Sequence, residues 1–170
     1  MKAWVTTWTR LSETNNSKLQ KSITTGTRRS LYNMAIFGLW VINKAGGLVY
    51  QRNFADGLAQ LTSNEYLVLA GTLHGIHAIT SRLSPMGSSS GAQVIEGETF
   101  KITILLTATG TKFVLLTSLT DTSADAILQK VYEIYADAVM KNPFHTPEMP
   151  IRSEGFDTRI TALIGNGLGA

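Results

Sequence analysis

The strongest constraint on the fold is an amphipathic helix that runs into a proline-rich apolar segment. From residue 124, apolar residues recur with helical spacing and fall on one face. They are Ile127, Leu128, Val131, Ile134, Tyr135, Ala138 and Val139. Pro143 ends this helix, because the residue before a proline is disfavoured in helical conformation. The segment from Pro143 to Arg152 carries Phe, Met and Ile at a density unusual for a solvated linker. We therefore expect it to pack against something.

Length and composition are those of one globular domain with a possible appendage. The chain has 170 residues, of which 44% are hydrophobic, and it contains no cysteine. Disulfides, thiolate metal sites and cysteine nucleophiles are thereby excluded. No apolar run approaches the roughly 20 residues that a membrane-spanning helix needs.

The positive charge is concentrated at the N-terminus. Residues 1–33 carry six basic residues against Glu13 alone, whereas residues 34–170 carry nine basic and eleven acidic residues. The folded part is therefore slightly acidic, which argues against nucleic acid as a partner. We interpret residues 1–33 as a disordered basic, Ser/Thr-rich extension, or as the product of an upstream start before Met34. Their composition also resembles a mitochondrial transit peptide. Residues 34–170 form the predicted domain.

The strand pattern predicts an α+β fold with an antiparallel sheet. Two strands are expected at residues 35–42 and 48–54, and a meander of three at 92–95, 99–108 and 112–119. The first strand and residues 113–116 of the last are continuously apolar, so both are central and adjacent. This gives the strand order 2-1-5-4-3. Gly46 and Gly47 belong to a hairpin turn, and Lys44 precedes them, so they do not match a phosphate-binding loop.

A first helix is predicted from Ser63 to Leu83. Thr62 and Glu65 fit a capping box at its start. A core stripe is expected at Tyr66, Leu69, Ala70, Leu73, Ile76 and Leu83. A second row of small or apolar residues, Leu67, Gly71, Gly75 and Ala78, lies on another face. Glycines inside a helix cost about 1 kcal/mol each relative to alanine, which indicates close approach of another backbone or a partner. The row therefore belongs to a subunit interface or lies against the sheet.

No catalytic constellation is recognisable in this sequence. A nucleophile elbow, a metalloprotease motif, paired catalytic acids and a phosphate cradle are all missing. His74 and His77 could share a metal, but two partly buried histidines are the commoner outcome of this spacing. We predict no catalytic residue, no metal and no cofactor.

Several motifs, in order, resemble the synbindin family of longin-like (SNARE-like) domains. They lie at residues 35–37 and 41–50, then at 77–79, 83–85 and 90–91, and then at 109–113 and 132–135. The most specific motif comprises residues 141–144 with 148–152 and 156–157. The resemblance extends from Met34 to about Ile164. Ser153 stands where relatives tend to have cysteine, residues 1–33 have no family counterpart, and the short connection at residues 55–62 lacks the PDZ-like insertion of animal relatives.

The resemblance implies a longin-like fold, with one helix on one sheet face and C-terminal helices on the other. It also implies a non-catalytic core subunit of the TRAPP vesicle-tethering complex. Such a subunit pairs with a second longin-like subunit and contributes to a composite surface that promotes nucleotide exchange on a Rab1-type GTPase. The expected location is the cytoplasm, at ER-to-Golgi intermediates and cis-Golgi membranes, with peripheral association through the complex. The alternatives are an autonomous longin domain that binds SNARE or sorting peptides and, less compatible with the missing motifs, a small-molecule enzyme.

Two surfaces are predicted to carry this function. The partner interface comprises Leu67, Gly71, His74, Gly75 and Ala78. The docking segment comprises Asn142, Pro143, Phe144, Glu148, Met149, Pro150, Ile151 and Arg152.

Overall fold

The fold is a five-stranded antiparallel sheet with helices on both faces. The computed structural model describes residues 36–55, 61–85, 87, 89–146 and 148–165, so the predictions for residues 1–33 lie outside the described residues. The strands are β1 (Ile36–Ile42), β2 (Leu48–Asn53), β3 (Val94–Glu96), β4 (Lys101–Leu106) and β5 (Lys112–Thr117). The helices are α1 (Ser63–Arg82), α2 (Ala124–Tyr135) and α3 (Glu154–Gly165).

The predicted fold class and strand order are confirmed. The sheet order is β2-β1-β5-β4-β3, and all neighbouring strands are antiparallel. The two continuously apolar strands are adjacent at the centre, where Leu39 lies opposite Leu115 and Trp40 opposite Val114. A strand that is apolar on both sides is buried only when both sheet faces are covered, and both faces of β1 and β5 are buried here.

The first sheet face is covered by α2 and α3. The predicted α2 stripe packs on Leu39, Val41 and Leu115, with Ile134 and Ala138 at its margin. Phe113, Tyr135 and Phe156 form edge-to-face ring contacts that join the sheet to both helices. A π-helical turn, Ala136–Met140, extends α2 to the residue before Lys141. Helical structure thus ends before Pro143 as expected, although the π-turn was not predicted.

Among the described residues, α1 is the element that covers the second sheet face. Tyr66, Ala70 and Leu73 pack on Trp40, Ile42, Ile104 and Val114. The ring centroids of Trp40 and Tyr66 are 5.8 Å apart in an edge-to-face arrangement. The predicted capping box is present, because Thr62 Oγ1 accepts from the Glu65 backbone N–H and the Glu65 carboxylate accepts from the Thr62 N–H. These hydrogen bonds lower the pKa of Glu65.

The predicted core stripe of α1 is wrong at three positions. Leu69, Ile76 and Leu83 are exposed, and His77 is buried in their place. Apolar residues occur on most sides of this helix, so periodicity alone cannot show which of them face the sheet. Fewer of them are buried than the pattern predicts. Among the described residues, one side of α1 is buried, at Tyr66, Ala70, Leu73 and His77.

Gly91 explains why His77 is buried. Its φ of +83° is a left-handed conformation, and a Cβ at this position would lie 2.7 Å from the His77 carbonyl oxygen and 2.9 Å from its ring. The neighbouring Ala92 N–H donates to Thr80 Oγ1 at 2.8 Å. The loop that follows Pro85 therefore folds back onto the last turns of α1, and only glycine fits at the contact.

We predict opposite stability effects for two glycine-to-alanine substitutions. Gly91→Ala should lower the free energy of unfolding by about 1–3 kcal/mol, because it adds both backbone strain and a clash. Gly71→Ala should raise it by up to about 1 kcal/mol, because no atom lies within 4 Å of a Cβ there and alanine is the better helix former. Denaturant unfolding of the purified chain measures both effects. A Gly91→Ala protein as stable as wild type would contradict the packing described for this loop.

Candidate interaction surfaces

The outward face of α1 is apolar, exposed and free of charge. Residues 66–81 contain no Asp, Glu, Lys or Arg. Leu67, Val68, Ile79 and Leu83 are more than half exposed, and a Cβ at Gly71 or Gly75 would meet no atom within 4 Å. The alternative that the row of Leu67, Gly71, Gly75 and Ala78 lies against the sheet is therefore wrong. A surface helix normally carries charged residues on its solvent face, so this face has the composition of a covered one.

An apolar pocket adjoins this face. It has a volume of about 280 Å³ and opens between α1 and the sheet. Gly38 lies in the cross-strand row between Asn53 and Leu116, and a Cβ there would lie 3.3 Å from Asn53 Oδ1. The lining residues are Trp40, Asn53, Leu61, Tyr66, Leu69, Leu73, Phe100, Ile102 and Leu116. A single helix thus leaves part of this sheet face uncovered.

A buried lysine lies under the middle of α1. Lys112 is only 6% exposed, and its Nζ is 3.3 Å from His74 Nδ1 and 3.4 Å from the Gly110 carbonyl oxygen. Burial lowers the pKa of Lys112. Burial, and secondly the charge of Lys112, lower the pKa of His74, so the neutral imidazole is favoured. Neutral His74 can then accept a hydrogen bond from the ammonium group.

The docking segment is anchored to the domain at its C-terminal end. Ile151 is buried, and its N–H donates to the Val49 carbonyl oxygen at 2.8 Å, which ties the segment to the outer edge of β2. Phe144 is 93% exposed and Met149 is 59% exposed. The expectation that this segment packs within the chain is thus met at Ile151 and not at Phe144 or Met149. Asn142 Oδ1 accepts from the Phe144 N–H at 3.0 Å and shapes the turn that presents this ring.

Polar contacts fix α3 beside this segment. Tyr50 Oη donates to Asp157 Oδ1 at 2.7 Å, and Arg52 Nη1 lies 3.2 Å from the same oxygen. Burial, and then the hydrogen bond to Asp157, raise the pKa of Tyr50. Arg159 pairs with Asp137 of the π-turn, and hydrogen bonds from Lys141 and Arg159 lower the pKa of Asp137 to about 2. The exit of the docking segment is therefore held by β2, α3 and the π-turn together.

The two histidines do not form a metal site with their neighbours. Among the described residues, no group of three or more His, Asp or Glu side chains is placed to hold a metal ion. His77 is buried beneath Gly91, and His74 faces Lys112. Within the same described ranges, none of the helices combines the length and hydropathy required to cross a membrane.

The sequence indicated the row on α1 and the docking segment as candidate surfaces, but it missed two features. The pocket is lined by residues of α1, of four strands and of the segments before α1 and β4, and no local pattern indicates it. The buried lysine did leave a signal, since Lys112 directly precedes the continuously apolar run of residues 113–116 in a central strand. Both faces of a central strand are covered, so a lysine at that position is expected to be buried on whichever face it points to.

With the geometry described, comparison defines the class of protein. The sequence profile of the Sybindin-like family matches residues 36–166. The chain therefore belongs to the Sybindin-like family, as its motifs indicate.

Individual relatives narrow this assignment. The chain is 44% identical over 133 residues to "Trafficking protein particle complex subunit 4" of Dictyostelium discoideum, covering 78% of this chain and 98% of the relative. It is 48% identical over 111 residues to the human protein of the same name, covering 65% of this chain and 51% of that relative. The chain thus spans nearly all of the Dictyostelium relative and about half of the human one. Human "Trafficking protein particle complex subunit 1" is 28% identical over 101 residues, covering 59% and 70% of the two chains.

Solved structures of similar outline include a Roadblock/LC7 domain from Streptomyces avermitilis. It has a TM-score of 0.46 and 13% identity, and the match covers 62% of this chain and 89% of that domain. An MglB structure with a tetrameric arrangement gives a TM-score of 0.45 with 17% identity, covering 59% and 73% of the respective chains.

Proposed function

We propose that this chain is a non-catalytic core subunit of a TRAPP vesicle-tethering complex. In this role it pairs with a second longin-like subunit through the outward face of α1. The assembled complex, rather than this chain alone, promotes nucleotide exchange on a Rab1-type GTPase in ER-to-Golgi and Golgi traffic. The complex associates peripherally with these membranes.

The observation that carries this proposal is the uncharged, apolar and exposed face of α1. An exposed patch of this kind is expected where another protein docks. The glycines at positions 71 and 75 leave room for a close approach of a partner's backbone, since no atom lies within 4 Å of a Cβ at either site. The relatives named as subunits 4 and 1 of one complex also support a complex that contains two chains of related sequence.

The exchange activity requires no active site in this chain. A surface that binds the nucleotide-free GTPase more tightly than the nucleotide-bound form shifts the population towards release. The docking segment supports such a contact role, because it presents Phe144 and Met149 to solvent on a rigidly anchored loop.

The interface prediction is tested with Gly75→Leu. The isolated chain should fold as well as wild type, because the site is open and leucine is a good helix former. Its side chain should hold the partner's backbone away, so that co-purification of the longin-like subunit from native cells is lost. Ala126→Leu, an exposed helical position on α2, is the matched control and should co-purify normally.

Two results would contradict the assignment. One is normal co-purification of the Gly75→Leu protein with its partner. The other is a wild-type chain that is monodisperse and stable alone and binds a SNARE peptide, as the autonomous longin alternative requires.

The docking segment gives a second prediction. Phe144→Ser should weaken association with the assembled complex or its GTPase by about 30-fold, because a buried aromatic anchor contributes about 2 kcal/mol or more. Leu119→Ser, an exposed apolar position between β5 and α2, is the control and should bind as wild type does. Limited proteolysis should cleave residues 143–152 slowly within the assembled complex. Rapid cleavage there would overturn the docking role.

A further inference from the structure

Lys112 is a buried cation for which the described residues supply no anion. It is the first residue of β5 and lies opposite Ile42 and Leu106 in the sheet register. The ion pairs within the described ranges are Arg52–Asp157, Lys141–Asp137 and Arg159–Asp137, and none includes Lys112. Its hydrogen-bond partners there, His74 Nδ1 and the Gly110 carbonyl oxygen, are both uncharged. Burial of an ammonium group without a counter-ion is costly, and buried charges in proteins are normally paired.

Lys112 lies where the two hairpin turns that contain Gly46 and Gly110 meet α1, and we call this site the Lys112 corner. Gly46, with a φ of +92°, packs against the His74 ring, where its Cβ would be 3.1 Å from Cγ. Gly110, with a φ of +86°, packs against the Lys44 side chain, where a Cβ would lie 3.0 Å from Lys44 Cγ. Both turns need glycine to make these contacts. They bring Lys44, Lys112 and His74 together beside a helix that contributes no acid from residue 66 to residue 81.

This corner adjoins the proposed partner interface. His74 is spaced three or four residues from Gly71 and Ala78, so it lies on the same side of α1 as they do. It is also the residue that holds the Lys112 ammonium group. A subunit that covers this side of α1 therefore also covers the Lys112 corner.

We propose that one Asp or Glu carboxylate of the subunit covering α1 pairs with Lys112 and completes this site on assembly. The inference rests on the proposed function, because it takes that subunit as the source of the anion. An ammonium group has three donors, and two are used within the chain, which leaves one for the carboxylate. His74 acts as a positioning residue that aims the ammonium group.

The chemistry of the corner fits a protein carboxylate. Phosphate groups are typically bound by several cations or backbone N–H groups, often with bidentate arginine. Here a single buried ammonium group and a neutral imidazole adjoin an apolar helix face. A charge pair at the edge of an apolar contact selects one partner over others, because a wrong partner leaves the lysine unpaired.

The test is Lys112→Met, compared in the isolated chain and in the complex with the longin-like subunit. In the isolated chain the melting temperature should stay the same or rise, because an unpaired buried charge is replaced by an apolar group of similar shape. In the complex the affinity should fall about 30-fold or more, because the partner's carboxylate is left buried and unpaired. Lys44→Met removes an exposed lysine from the same corner and should change the affinity by no more than about threefold. Higher stability with lower affinity is a combination that a purely structural lysine does not give.

A double-mutant cycle identifies the carboxylate. Each acidic residue of the partner is changed to its amide, alone and together with Lys112→Met, and one of them should show strong coupling. The cycle also tests the inference if Lys112→Met folds poorly, since Lys112→Gln, which likewise removes the charge, can then replace it. A Lys112→Met chain that binds with wild-type affinity, or the absence of coupling to any acid, would overturn this inference alone. A wild-type chain that binds no longin-like subunit would overturn both it and the proposed function.

Discussion

A five-stranded sheet has two apolar faces to cover, and in the part of the chain that the structure describes, two helices lie on one face and a single helix on the other. Strands lie about 4.8 Å apart, so the axes of five strands span roughly 19 Å. One helix with its side chains is only about 10 Å wide. The face beneath α2 and α3 is therefore closed, with Phe113, Phe156 and Ile160 fully buried. The face beneath α1 keeps an open pocket.

The incomplete cover of this sheet face connects features that are far apart in the sequence. The pocket beside Leu69, the glycines of α1 and Lys112, which has no counter-ion among the described residues, all lie on the α1 face or next to it. Each is unfavourable for a chain on its own, since apolar surface is left in water and a charge is left without a counter-ion. Together they support the proposal that another protein completes the second face of this domain. On the opposite side, Met140, Phe144 and Met149 are the exposed apolar side chains of the π-turn and the described part of the docking segment.

Much of this fold could be predicted from the sequence, for identifiable reasons. The apolar runs of β1 and β5 fixed the strand order, because only central strands need to be apolar on both sides. The buried stripe of α2 was predictable because the charged residues Lys130 and Glu133 mark the solvent side of this helix. In α1 no charge marks the solvent side, so Leu69 and Ile76 were assigned to the core and His77 was not. The burial of His77 and Lys112 depends on Gly91, Gly46 and Gly110, whose contacts are made across the fold and leave no periodic signal.

The central claim is that the outward face of α1 is covered by a second subunit, and the lack of cysteine in this chain allows a direct measurement. Ala78→Cys introduces a single thiol on that face, and Ala126→Cys introduces one at an exposed position of α2. Reaction with a maleimide should be fast for both thiols in the isolated chain. In the assembled complex we predict that the thiol at position 78 reacts much more slowly, while the thiol at position 126 is unaffected. Equal reaction rates at position 78 in the isolated chain and in the complex would contradict the account.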